Sequence, residues 1–209
     1  MSARPAPRVA PLVAPRAVPR VYLAGPEVFL PDPLAIAEAK KAICRAHGFE
    51  GVFPLDGQLG LKGRPGPALG RAIFRADRRL MDECDLTIAN MTPFRGVSAD
   101  AGTVLEMGYM LAQGKPVLAY SNDPDDYIAR VRRAHRLRRR RGSADLEDAD
   151  GNLVEDFKLT DNLMLDGAVH ATGGRIIRVA APPRERFTFL DAFVRCVRQA
   201  RRLLANGRG

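Results

Sequence analysis

The chain has 209 residues, 46% hydrophobic and 27% charged, with a formal net charge of +9. That is enough chain for one domain with a sizeable core, and no apolar run approaches the ~20 residues of a membrane span. Three widely spaced cysteines (Cys44, Cys84, Cys196) and three histidines without HxxxH or HxH spacing argue against a disulfide framework and a structural metal, so a reducing cytoplasm is expected.

The positive charge is local. Arg130 to Arg141 holds eight arginines and no acid, and the first twenty residues hold four arginines and no acid. Without these two segments the remainder carries −3. The body of the chain is therefore not basic, and nucleic acid is not expected as a partner. The arginine run reads either as a solvated loop or as a contact for phosphate.

In chain order, residues 1–19 are rich in Pro, Ala and Arg without an apolar stretch, and read as a flexible tail. "RVYLAG" reads as a buried strand ending at a Gly-Pro turn. "PDPLAIAEAKKAICRAHG" reads as a helix capped by Asp32, with Pro33 at its first position and Gly48 closing it. "FEGVFPLDGQLG" is a short strand and a Gly-rich loop. "PALGRAIFRADRRLMDEC" is a second helix with Ile73, Leu80 and Met81 among its apolar positions. "DLTIANM" is a strand, "SADAGTVLEMGYMLAQG" a third helix and "KPVLAYS" a further strand. A polar insertion spans about 123–160. "RIIRVA" and a helix from about Thr188 to Leu204 complete the domain, 20–205. Alternating strands and helices predict an α/β fold, doubly wound (flavodoxin-like), with a mainly parallel five-stranded sheet and helices on both faces. Ligands bind such sheets beyond the C-terminal ends of the strands.

No GxGxxG follows a strand, and there is no GxxxxGK[ST] and no GxSxG elbow. The remaining candidates are carboxylates near strand ends. Asp85 opens the third strand. Asp100 precedes the third helix, where it serves either as a cap or as a ligand contact. Glu106 lies inside that helix among Val104, Leu105, Met107, Tyr109, Met110 and Leu111. A carboxylate kept in apolar surroundings is usually there to react or to bind. Gly102 and Gly108 are poor helix formers that would leave room beside it. With no metal or histidine partner, retaining glycosyl transfer suits the pair: Glu106 as nucleophile and Asp85 as proton donor.

These residues carry a resemblance. "VYLAGPEVF", "FPLDGQ", "DECDLTIANM", "SADAGTVLEMGYMLAQGKPV" and "DNLML" resemble the nucleoside 2-deoxyribosyltransferases over roughly Arg20 to Ala205. The resemblance implies that Glu106 is the nucleophile and that Tyr22 orients it. It implies Asp85 as the acid facing the base, Asp100 and Gln58 as sugar and base contacts, and Gly25 and Gly102 beside the substrate. It further implies that Asn162 and Met164 are donated to a neighbouring subunit's site, in a dimer-based tetramer or hexamer. The implied substrates are 2'-deoxynucleosides and free nucleobases, and no cofactor is needed. Two other readings stay open: an N-glycosidase hydrolysing nucleosides or deoxynucleoside monophosphates, and a non-catalytic nucleoside- or nucleotide-binding module. A carboxylate at Asp100 would repel a phosphate at close range, which favours an unphosphorylated nucleoside.

Overall fold

The computed structural model describes residues 18–58, 60 and 65–206. Of the expected tail, only Val18 and Pro19 fall within the described residues. Strand β1 (Arg20–Ala24) is buried from Val21 onward, and β3 (Leu86–Asn90) and β4 (Val117–Ser121) are buried at every position. Continuous burial of this kind belongs to a parallel sheet covered on both faces. With β2 (Glu50–Val52) and β8 (Ile176–Arg178), these strands form one parallel sheet in the order β2-β1-β3-β4-β8. Counted within the sheet, this is the flavodoxin-like order 2-1-3-4-5, whose direction reverses between β1 and β3. A crevice opens at that reversal, beyond the carboxyl ends of the strands.

Two apolar layers hold the helices. On one face Val21, Leu23 and Ile88 pack with Cys44 of α1 (Pro33–Ala46) and with Phe193, Cys196 and Val197 of α6 (Asp191–Asn206). On the other, Tyr22, Ala24 and Ala89 pack with Met81 of α2 (Gly66–Glu83), with Met107 and Met110 of α3 (Ala101–Ala112) and with Val169 of α5 (Leu163–Ala171). The capping residues act as their chemistry demands. The Asp32 side chain accepts from Ala35 N at 3.1 Å, and Gly48 takes a φ of 81° just beyond α1.

Two expectations change. Helix α3 is not apolar-buried all round, because Leu105 is 60% exposed. The stretch 123–160 is not a plain loop: it holds α4 (Tyr127–Ala134) and a three-stranded antiparallel sheet of β5 (Arg138–Arg139), β6 (Leu146–Glu147) and β7 (Leu153–Val154). The arginine run is likewise not uniformly solvated. Arg130 is buried, and its guanidinium donates to the carbonyls of Val97 (2.8 Å), Asp125 (2.8 Å) and Thr160 (2.7 Å) and to Asp161 (3.2 Å). Asp161 in turn accepts from Ser98 Oγ and from Ala99 N at 3.1 Å. The insertion is thereby tied to the segment that enters α3. Among the described residues, no helix is long and apolar enough to cross a membrane and no acid, His or Cys cluster is suited to a metal ion.

Candidate active site

The cavity that concerns function lies at the crevice. It encloses about 300 Å³ and is lined from four directions. Gly25, Val28 and Phe29 come from the turn after β1, and Pro54, Leu55 and Gln58 from the turn after β2. Ile73 and Asp77 come from α2, and Asp100, Gly102, Thr103 and Glu106 from the first turns of α3. A space of this size lies at the small end of ligand pockets.

Glu106 is fixed from below. Tyr22, fully buried in β1, donates its hydroxyl to Glu106 Oε1 at 2.7 Å. Burial pushes the Glu106 carboxyl up to about 8; the Tyr22 bond opposes this, while the charges of Asp77, Asp100 and Glu27 add to it. Burial, then the Glu106 charge, raises the Tyr22 phenol far above its usual range, so it remains a donor. Asp100 caps α3 through Oδ2, which accepts from Thr103 N at 3.1 Å. The capping and pocket-lining readings of Asp100 therefore both apply. Gly102 lines the same wall, and a Cβ there would sit 3.0 Å from Asp100 Oδ2. Gly108 does not face the cavity, and a Cβ there would meet open space. Gly25 has a steric reason to be glycine: a Cβ would fall 2.0 Å from Glu27 Oε2 and 2.9 Å from Asn90 Cβ.

The structure does not bring Asp85 to the cavity. Asp85 stands at the amino end of the sheet, where its Oδ2 accepts from Arg20 N at 2.7 Å and its own N–H donates to Arg20 O at 2.9 Å. That is the end of β3 opposite the cavity, because a parallel sheet presents one end of every strand on the same side. The acid that α2 brings to the cavity, beside Asp100 and Glu106, is Asp77. It occupies the stripe of α2 that also carries Ile73, Leu80 and Met81, one turn from Ile73. An acid on an apolar stripe was the signal that could have singled it out. Burial raises the Asp77 carboxyl to about 6, with a hydrogen bond from Gln58 working against the rise, and its Oδ1 is buried without a partner.

Asn162 and Met164 do not reach this chain's cavity. Asn162 caps α5, accepting from Met164 N at 3.0 Å and donating to Glu155 at 2.8 Å, while Met164 is 70% exposed. Phe29 was not singled out in the sequence. Its ring stacks on Phe94 (5.4 Å between centroids), and the Arg95 guanidinium lies 5.0 Å from the one ring and 4.7 Å from the other.

The model of the nucleoside 2-deoxyribosyltransferase family matches residues 21–164. The chain belongs to the nucleoside 2-deoxyribosyltransferase family. Its sequence is 39% identical over 165 residues to the uncharacterized protein C191.05c of Schizosaccharomyces pombe, covering 74% of this chain and 78% of the relative. Its structure is similar to that of a 2-desoxiribosyltransferase from Leishmania mexicana, with 29% identity and a TM-score of 0.54 over 82% of this chain and 96% of that one. The family is one of enzymes of the deoxyribosyltransferase type, which bind nucleosides or nucleobases.

Proposed function

We propose that the protein transfers the 2-deoxyribosyl group between nucleobases through a covalent bond to Glu106. The observation that carries this is the cavity's pairing of a tyrosine-held carboxylate with a second, protonatable acid in front of it. Tyr22 occupies Oε1 of Glu106, leaving Oε2 to attack C1' of the sugar from the face opposite the base. The C1'–N bond breaks as the C1'–O bond forms, and the Asp77 proton passes to the departing base, with Gln58 beside it to hold the ring. An incoming base then gives its proton to Asp77 and attacks C1', releasing Glu106. Two inversions retain the β-configuration. Asp100 accepts a sugar hydroxyl with the oxygen not used for capping.

A second copy completes the site in this reading. Leu163 and Met164 are exposed at the start of α5, outside their own chain's cavity, and supply the contact toward a neighbour. A cytoplasmic role in deoxynucleoside salvage follows from the substrates.

The test is chromatographic: purified protein with 2'-deoxyinosine, with and without excess adenine, beside Glu106→Ala. Formation of 2'-deoxyadenosine by the wild type alone, with a deoxyribosyl adduct on the intact protein, supports the reading. Free hypoxanthine at a rate indifferent to adenine would make the protein a hydrolase.

A further inference from the structure

Beneath the cavity lies a charged cluster that the reaction scheme above does not use. Glu27 sits in the single turn Pro26–Phe29 that follows β1, yet its side chain is fully buried. Three donors meet it, and all three go to one oxygen. Lys40 of α1, also fully buried, forms an ion pair with Oε1. Asn90, at the end of β3, donates to Oε1 at 2.9 Å, and the Tyr120 hydroxyl of β4 does so at 3.0 Å. The Lys40 ammonium lies 5.4 Å from the centre of the Tyr120 ring and 5.2 Å from that of Phe193. Oε2 is buried with no partner at all, and it occupies the space where a side chain of Gly25 would stand. Gly25 is itself part of the cavity wall.

A fully buried ion pair is a poor source of stability, because desolvating both charges offsets their attraction. A well-packed apolar pair would serve the fold as well. What the cluster does have is direction. The cation and both neutral donors are gathered on Oε1, so the negative end of the pair is Oε2, against Gly25. The field of Glu27 reaches Glu106, whose carboxyl it helps to raise.

We propose that Glu27, held by Lys40, Asn90 and Tyr120, is an electrostatic positioning residue that aims a fixed negative end at the cavity floor to stabilise positive charge on the sugar as its glycosidic bond breaks. This rests on the glycosyl-transfer reading of the site. Glycosidic cleavage passes through an oxocarbenium-like state, and a charge fixed beforehand in a dry setting stabilises it without reorganisation. The arrangement favours the cationic sugar over the neutral substrate, so it acts on turnover rather than on substrate affinity.

The double variant Glu27→Gln/Lys40→Met removes the pair while keeping its shape and leaving no buried charge alone. Calorimetry compares two ligands on both proteins: an uncharged carbocyclic 2'-deoxynucleoside and a protonated 1,4-imino analogue of the same nucleoside. The expected result is affinity for the uncharged ligand within about twofold, with about tenfold losses in affinity for the cation and in kcat, a loss confined to the charged state. Equal losses for both ligands, or no loss for the cation, would overturn the proposal and leave the cluster a structural tie. If the double variant does not fold, Glu27→Asp keeps the pair but draws the charge back from Gly25, and the same selective loss for the cation, about threefold, is expected. A wild type that binds both ligands yet cleaves no deoxynucleoside defeats the transferase reading, while the ratio of the two affinities still decides the role of Glu27.

Discussion

Replacing Glu106 with Gln should abolish turnover and yet stabilise the protein, by an amount that grows with pH. The carboxyl rises from an ordinary 4.5 to about 8 on folding, chiefly because burial penalises its charged form. The folded state thus holds a proton that the unfolded state has lost anywhere between those values. Stability is highest at low pH and falls as pH rises from 4.5 through about 8, where the loss levels off. At about 1.4 kcal/mol per pH unit the full span amounts to about 5 kcal/mol, and solvent entering the cavity reduces this to about 2–4 kcal/mol. Gln keeps the acceptor for the Tyr22 hydroxyl and carries no charge. Urea unfolding of wild type and Glu106→Gln at pH 5, 7 and 9 measures the difference. The two proteins should be nearly equal at pH 5 and furthest apart at pH 9, the variant being the more stable. Parallel stability curves across that range would refute the reasoning, since Glu106 would then be no more difficult to ionise in the fold than in the open chain.

The same two acids set the pH dependence of turnover. Between about 6 and 8 the pair holds one proton, mainly on Glu106, and the productive form is the minor one with Glu106 ionised and Asp77 protonated. Below about 6 the pair holds two protons and above about 8 none, so that form is lost at both ends. A bell-shaped kcat/KM profile belonging to the pair is expected, and a profile flat from pH 5 to 9 would contradict it. Asp77→Asn should lower kcat by about 10²–10⁴, the usual worth of general acid catalysis, whereas Asp85→Asn should leave kcat within about twofold; the reverse order would restore Asp85 as the acid. Arg130→Met leaves Asp161 buried without its cation and cuts the ties to Val97 and Thr160. It should cost about 3–5 kcal/mol of stability in chemical denaturation, against about 0.5 kcal/mol for the exposed Arg139→Met.

Much of this molecule could be read without coordinates. Apolar runs such as "VYLA" and "LTIAN" announce strands buried on both faces, and Asp32, Pro33 and Gly48 mark helix ends through local hydrogen bonding and backbone geometry alone. Glu106 stood out because an acid among apolar residues is costly unless used. Asp100 and Gln58 could be placed near it because strands alternating with helices put all such turns at one end of a parallel sheet. Asp77 shows where this reasoning stops. The sequence singled out Asp85 and passed over Asp77, eight residues before it. Asp77 lies on the inner stripe of α2, and Asp85 at the far end of β3, held by Arg20.

Sequence by itself therefore determined the fold class, the five strands of the parallel sheet, four of the helices that flank it and the family, because these depend on periodicity, capping and turn chemistry within short windows. Helices α4 and α5 and the small sheet β5 to β7 did not show in the sequence. Tertiary structure alone decided which acid faces Glu106, that Arg130 is buried rather than solvated, and that Lys40 of an apparently ordinary helix ends beneath Gly25. Those facts depend on where strands stop and which helix face turns inward, distances set across the sheet by residues 13 to 93 positions apart.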